Sequence, residues 1–474
     1  MLFNKDFWRW LGTGLRGNRP RDIGVEIPGG VMVRVPDDLE HLTSYILREQ
    51  GDWFEAELPF LRRAVGPGMT VVDVGASYGT YALSLGRRVL PGGAVWAFEP
   101  APEVFRFLES SVRANGFKHV HLTRAAVSET PGAGTLVFES QSELRGLGPA
   151  GAAGETVDLV SLDESLERHG WASVDVLKLD AEGAETAILR GARRLLANHS
   201  PLVMAERLHG DRVDTELVGA FQDQGYAPYF LVPGPGILAP WDETEGDPWQ
   251  LNLFFCKPDR ARALAERRFL ALSDGLEARS AGRGDALEAP PWQEAVAGRA
   301  YASRIGASWA PAAMSPGHAA ALGWLGASRD AQSSPAARYE ALREAARLLE
   351  RDKALPSPAQ RLTRFRVLAE LGQRSRALEL LESLLGALPD VVEGCRREPF
   401  AAPSAAFEAL DPQDRFEDWL KAGLLDAAET LGSFSGYFTG ADSLARLSGM
   451  AVAGFLRPPM ARRLDWLRRR MGLG

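Results

Sequence analysis

Residues 70–85, TVVDVGASYGTYALSL, constrain this chain more than any other stretch. They open on a β-branched run, Thr70-Val71-Val72-Asp73-Val74, with Gly66-Pro67-Gly68 before it and Gly75 after it. A short apolar run bounded in this way reads as a strand buried in a parallel sheet. Gly75-Ala76-Ser77-Tyr78-Gly79 then reads as a tight turn, and residues 80–89 as a helix. Strand, glycine turn and helix begin a βαβ unit of the kind that holds nucleotides. Glycine suits such a turn because it accepts positive φ and lets backbone approach a ligand closely.

Spacing narrows the ligand. A dinucleotide fingerprint runs G-x-G-x-x-G, and its middle glycine admits the pyrophosphate. Ser77 stands at that middle position here, which disfavours a nicotinamide oxidoreductase. A second apolar run, residues 94–98, ends in Glu99-Pro100. An acid about 20 residues past the turn lies where such folds place the carboxylate that binds ribose hydroxyls.

A chain of 474 residues is long enough for two or three domains. Its formal charge of −8 disfavours nucleic acid as a partner, since a phosphate footprint needs a basic face. Cys256 and Cys395 lie far apart without metal-ligand spacing and read as buried thiols in a reducing, cytoplasmic setting. No run of about 18 apolar residues stands out as a membrane span. The first 17 residues lack the continuous apolar stretch of a secretory signal, so a short helix packed on the next domain is expected.

Read in order, residues 1–65 form a lead-in or lid, with a hairpin at 25–35 and a helix at 52–64. Residues 66–258 alternate strands and helices, the mark of a parallel sheet covered on both faces. Further strands are expected at 120–127, 134–139, 174–180, 201–206, 227–232 and 251–257. Helices are expected at 104–115, 158–168, 186–196 and 218–224, with loops at 140–154 and 234–250. From 259 onward alanine, arginine and leucine dominate. Residues 259–335 read as an irregular linker with some helix, loosest at 281–335, and 336–474 as a helical domain. Within it, residues 368–378 resemble the second half of a tetratricopeptide repeat, and 457–474 read as a basic, exposed amphipathic end.

The segments TVVDVGASYGTYAL, WAFEPAPEVFRFLESSVRANG, AAVSE, VDVLKLDAEGAETAILRGA and PLVMAE stand in the order of the FkbM family of methyltransferases, which this chain resembles over residues 25–258. Residues 177–185, LKLDAEGAE, are the most specific part, with Ala181 where valine is common. The resemblance implies an α/β fold: a Rossmann-like, doubly wound domain with a mainly parallel sheet, followed here by the mostly α-helical C-terminal region. It implies S-adenosylmethionine (SAM) as cofactor and a hydroxyl of a sugar, glycan or related natural product as acceptor. Asp73 would face the ammonium of SAM. Gly75, Ala76, Ser77 and Gly79 would form the turn beneath it, Glu99 and Pro100 the ribose side, and Ala126 and Val127 the adenine walls.

Asp180, at the carboxyl end of a central strand, is the first candidate for a general base. Glu182, Glu206 and His209 follow. Lys178 shares a strand face with Asp180 and is expected to pair with an acid of this rim. No residue set is assigned to a metal, although the same acids could hold Mg²⁺. A second reading makes the chain a weakly catalytic scaffold whose C-terminal helices recruit a protein partner.

Overall fold

In the computed structural model, the described residues are 21–138, 145–148, 154–181, 183–209, 212–213, 215–243, 246–272, 289–310, 314–351 and 356–473. By its internal contacts the chain divides into two compact units. The first comprises Met1–Phe230 and Gln250–Leu264, the second Leu231–Trp249 and Ala265–Gly474. Among the described residues no helix is long and apolar enough to cross a membrane.

Among the described residues the first unit opens with the expected hairpin, strands β1 (Asp22–Ile27) and β2 (Val31–Pro36), paired antiparallel; the short helix expected over the first 17 residues lies outside the described residues. Helix α1 (Leu42–Gln50) follows and was not expected. Helix α2 (Glu57–Ala64) is shorter than the stretch expected at 52–64. Pro59 explains its start, because a proline ring clashes with the carbonyl four residues earlier, at Glu55, in a continuing helix. Asp52 is drawn off instead, its two oxygens accepting from the Arg62 guanidinium at 2.5 and 2.7 Å.

The sheet is built on β3 (Thr70–Val74), β4 (Ala94–Phe98) and β5 (Val120–Thr123) on one side of β3, and β10 (Val176–Leu179) and β11 (Leu202–Glu206) on the other. These five are parallel. β16 (Asn252–Cys256) adds antiparallel beyond β11, and β14 (Ala227–Val232) pairs with β16. β15 (Ile237–Pro240) falls in the segment 234–250 expected as loop. The central strands are mostly apolar and buried on both faces, as suits parallel strands under two helix layers, with Asp73 and Lys178 as buried charged residues among them. Helix α3 (Thr80–Arg88) follows β3, and α4 (Pro102–Asn115) follows β4. Pro102 opens α4, and Gly116, at φ +65°, closes it with amide bonds back to Arg113 and Val112.

The stretch 120–127 is not one strand. It passes from β5 to β6 (Ala126–Val127), which belongs to a smaller sheet ordered β6-β9-β7-β8. In that sheet β7 is Gly132–Phe138, β8 is Arg145–Leu147 and β9 is Glu155–Val160. The helix expected at 158–168 therefore begins later, as α5 (Leu162–His169). Residues 155–160 alternate with period two, and the Ser161 side chain accepts from the Glu164 amide, capping α5. The helix expected at 186–196 is two, α6 (Glu185–Arg190) and α7 (Arg193–His199), broken where a Cβ on Gly191 would lie 2.5 Å from the Ser128 carbonyl. A small hairpin, β12 (Leu208–His209) with β13 (Arg212–Val213), precedes α8 (Thr215–Gln222).

Among the described residues the second unit is mainly helical, with β15 and the end of β14. Its core gathers Tyr301, Phe365, Phe400, Phe407, Phe416 and Trp419 among aliphatic side chains. The segment 281–335 is not loose throughout: Trp292–Val296, Ala300–Ile305 and Pro316–Ser328 are helices. The helices Pro358–Leu371 and Arg374–Gly386 form a hairpin at Gly372, whose φ is +79°. The basic end is docked rather than exposed. Met460, Leu464 and Leu467 of the helix Pro458–Arg470 enter the core, and buried Arg463 lies 2.9 Å from Glu429.

Candidate active site

The carboxyl ends of β3, β4 and β10 lie side by side, with Val74 opposite Phe98 and Leu179 opposite Val74. The glycine turn starts there. The Gly75 and Ala76 amides both donate to the Phe98 carbonyl at 3.0 Å, and the Gly79 amide donates to Ala76. Gly75 sits at φ +75°, and a Cβ on it would stand 1.8 Å from the Asp180 carbonyl oxygen. The glycine is therefore required first by the end of β10, against which the turn passes. Ser77 takes φ +49°, an uncommon conformation for a residue with a side chain. Its amide donates to Glu99 Oε2 at 2.9 Å, while the Ala101 amide donates to Oε1 at 2.8 Å. Glu99 is thus buried at the lip of the turn, with its carboxylate held between two backbone amides. Pro100 follows it, half-buried. Ala126 and Val127 are buried in the smaller sheet, opposite Leu159 and Val160.

Asp73 and Lys178 are register partners on β3 and β10, and both side chains are buried. Lys178 Nζ lies 3.4 Å from Asp73 Oδ1 and 2.9 Å from Asp180 Oδ2, and donates to the Gly75 carbonyl at 3.3 Å. One ammonium therefore ties two acids to the turn. Burial alone would lower the Lys178 pKa, but the Asp180 and Asp73 carboxylates outweigh it and hold it above the lysine range. Burial pushes Asp73 up, Lys178 opposes that, and Asp180 adds to it.

The lead-in segment contributes to the same cluster. The Tyr81 hydroxyl, from the first turn of α3, donates to Glu55 Oε2 at 2.5 Å. The Tyr81 ring faces Lys178, with Nζ 5.1 Å from its centre. Burial, and then the charge of Asp180, raise Glu55 above the usual carboxylate range. Burial and Glu55 push Glu57 up to about 8. Burial and Glu55 likewise raise Tyr81 well above a normal phenol.

Of the acids expected at the rim, Glu206 ends β11 opposite Asn252. Glu182 lies outside the described residues, as does the His209 side chain, although His209 backbone pairs with Arg212. Among the described residues no three His, Cys, Asp or Glu side chains gather as they would around a metal ion.

Residues 73–228 match the methyltransferase FkbM domain family. The chain is 26% identical over 218 residues to methyltransferase sdnD of Sordaria araneosa, covering 39% of this chain and 79% of that protein. Among solved structures, a methyltransferase FkbM from Methylobacillus flagellatus KT is 19% identical with a TM-score of 0.28, covering 40% of this chain and 43% of the length of that one. A SAM-dependent O-methyltransferase from Thermotoga maritima is 17% identical with a TM-score of 0.28, covering 50% and 77%.

Glu55, Glu57 and Tyr81 were not among the residues expected at the site. Tyr81 carried a signal, since it stands in the first turn of the helix after the glycine turn. Glu55 carried none, because only the fold brings residue 55 to residues 81 and 178. The match begins at residue 73, after Glu55 and Glu57.

Proposed function

We propose that the methyltransferase domain moves the methyl group of SAM to a hydroxyl of a sugar, glycan or related natural product. The observation that carries this reading is the Ser77–Glu99 arrangement at the carboxyl ends of β3 and β4, within a matched methyltransferase domain. A carboxylate held at the lip of a glycine turn suits a ribose, whose two hydroxyls are donors. Asp73, Gly75, Ala76, Ser77, Gly79, Glu99 and Pro100 would hold the cofactor, with Ala126 and Val127 against its adenine. When bound, SAM supplies an electrophilic methyl group on a sulfonium. The protein's share is to place the acceptor oxygen, worth up to about 7–11 kcal/mol, and to take the hydroxyl proton. Lys178 fixes Asp180 and Asp73 so that the turn and the rim keep one geometry.

Calorimetry with SAM, S-adenosylhomocysteine and NAD tests the reading. SAM and its demethylated product should bind and NAD should not. Glu99→Ala should weaken SAM binding by about 2 kcal/mol, the size of a lost charge-assisted contact. Undiminished affinity in that variant would remove Glu99 from the cofactor site, and binding of NAD alone would overturn the whole reading.

A further inference from the structure

We propose that Glu55, held by the Tyr81 hydroxyl, is the general base that takes the proton of the acceptor hydroxyl. This rests on the methyl-transfer reading above. The placement of the acids decides the choice among them. Asp180 and Asp73 share the Lys178 ammonium, at 2.9 and 3.4 Å. A proton arriving on either would weaken a charge-assisted contact that ties the rim to the turn. Glu55 is the described acid of this cluster that hydrogen-bonds to a neutral hydroxyl instead of the lysine.

Its position follows from three elements. The segment before α2 presents Glu55, the first turn of α3 presents Tyr81, and β10 presents Lys178 beneath the Tyr81 ring. The groups facing Glu55 are Glu57 and Trp53 from its own segment, Tyr81 from α3, and Lys178 and Asp180 from β10 and its end. Burial and the neighbouring acids favour its protonated form, whereas Tyr81, Lys178 and Trp53 favour the carboxylate. A carboxylate raised above the ordinary glutamate value of about 4.3 takes up a proton more readily than an exposed one.

The step balances. The acceptor O–H proton passes to a Glu55 carboxylate oxygen. The oxygen–methyl bond forms as the methyl–sulfur bond breaks, and that electron pair stays on sulfur as a thioether. The proton then leaves Glu55 for solvent.

The test uses the full chain and begins without cofactor. Infrared spectra recorded as the pH is raised follow the loss of the protonated-carboxyl signal. The signal should persist in the wild type to higher pH than for an ordinary glutamate, be diminished in Glu55→Gln, and disappear at lower pH in Asp180→Asn, because the Asp180 charge raises Glu55. Tyr81→Phe should move its disappearance to higher pH, because the lost hydrogen bond favoured the charged form. Matched thermal melts establish that each variant is folded. Calorimetry should find SAM affinity unchanged in Glu55→Gln. With any hydroxyl compound the wild type methylates, Glu55→Gln should lower kcat about 10²-fold with KM little changed. A carboxyl signal whose loss with pH is left unmoved by Glu55→Gln would overturn the proposal. So would a loss of SAM affinity in Glu55→Gln, which would make Glu55 a cofactor ligand. Failure of the wild type to bind SAM would instead sink the methyl-transfer reading, while the infrared result would still report on Glu55.

Discussion

The Lys178 ammonium, from β10, lies 2.9 Å from the carboxylate of Asp180, just past the end of that strand. With Asp73 on the other side at 3.4 Å, a fixed cation already balances two acids at the end of the sheet. Lys178→Met should therefore do more than change the site. Removing one partner from a buried ion pair leaves a charge uncompensated, at about 3–5 kcal/mol. Chemical denaturation of the variant should lose stability of that order. In the wild type, cofactor binding and turnover should resist a chelator, because the cation is part of the chain. Collapse with chelator and recovery with Mg²⁺ would contradict this.

Stability should fall as pH rises through neutrality. Glu57 in the folded chain holds its proton to about 8, against an ordinary value of 4.5. Between those values the folded state binds a proton that the unfolded state has released, so raising the pH favours unfolding. Glu55 acts in the same sense, since burial and Asp180 raise it too. Melting temperatures measured between about pH 5 and 9 should slope downward. Glu57→Gln should flatten that slope, and an unchanged slope would separate Glu57 from the effect.

Gly75→Ala should prevent the turn from closing. The new Cβ would meet the Asp180 carbonyl oxygen at 1.8 Å, at a backbone φ of +75° that side chains resist. A clash with backbone cannot be relieved by rotating a side chain, so a loss on the order of 3 kcal/mol or more is expected. Reduced melting temperature together with lost SAM binding is the expected result. Normal stability would mean that the turn can shift away from β10.

The second unit contains a charge network with its own test. Buried Arg366 lies 2.6 Å from Glu370 and 3.1 Å from Glu408, and Arg329 reaches the same two acids at 2.7 and 3.0 Å. Arg366→Met leaves Glu370 and Glu408 to Arg329, with Arg299 3.5 Å from Glu408. Denaturation should show a cost of about 3 kcal/mol. An additional Glu370→Gln change should recover part of it, and the double variant being no better than the single would argue against an electrostatic cause.

Local pattern made much of the fold legible. The strand at Thr70–Val74, the turn to Gly79 and the acid Glu99 could be read because each is written within a few residues of chain. That Lys178 would pair with an acid of the rim was legible for the same reason, the period of two along β10 putting its side chain on the face of Asp180. Two misplaced helices also had local signals that the periodicity masked: Pro59 against a start at 52, and the Ser161 cap with Glu164 three residues on.

Other features had no local signal. The split of 120–127 between two sheets depends on β6 finding β9, about 30 residues away, and no period within eight residues encodes a choice of partner. The docking of Met460, Leu464 and Leu467 depends on a core assembled from distant helices, because an amphipathic helix carries an apolar face whether or not something covers it. The meeting of Glu55 with Tyr81 is of the same kind. Sequence fixes which residues are ionisable, but their basicity depends on burial and on which charges come near. Those are set only when segments far apart in the chain pack together.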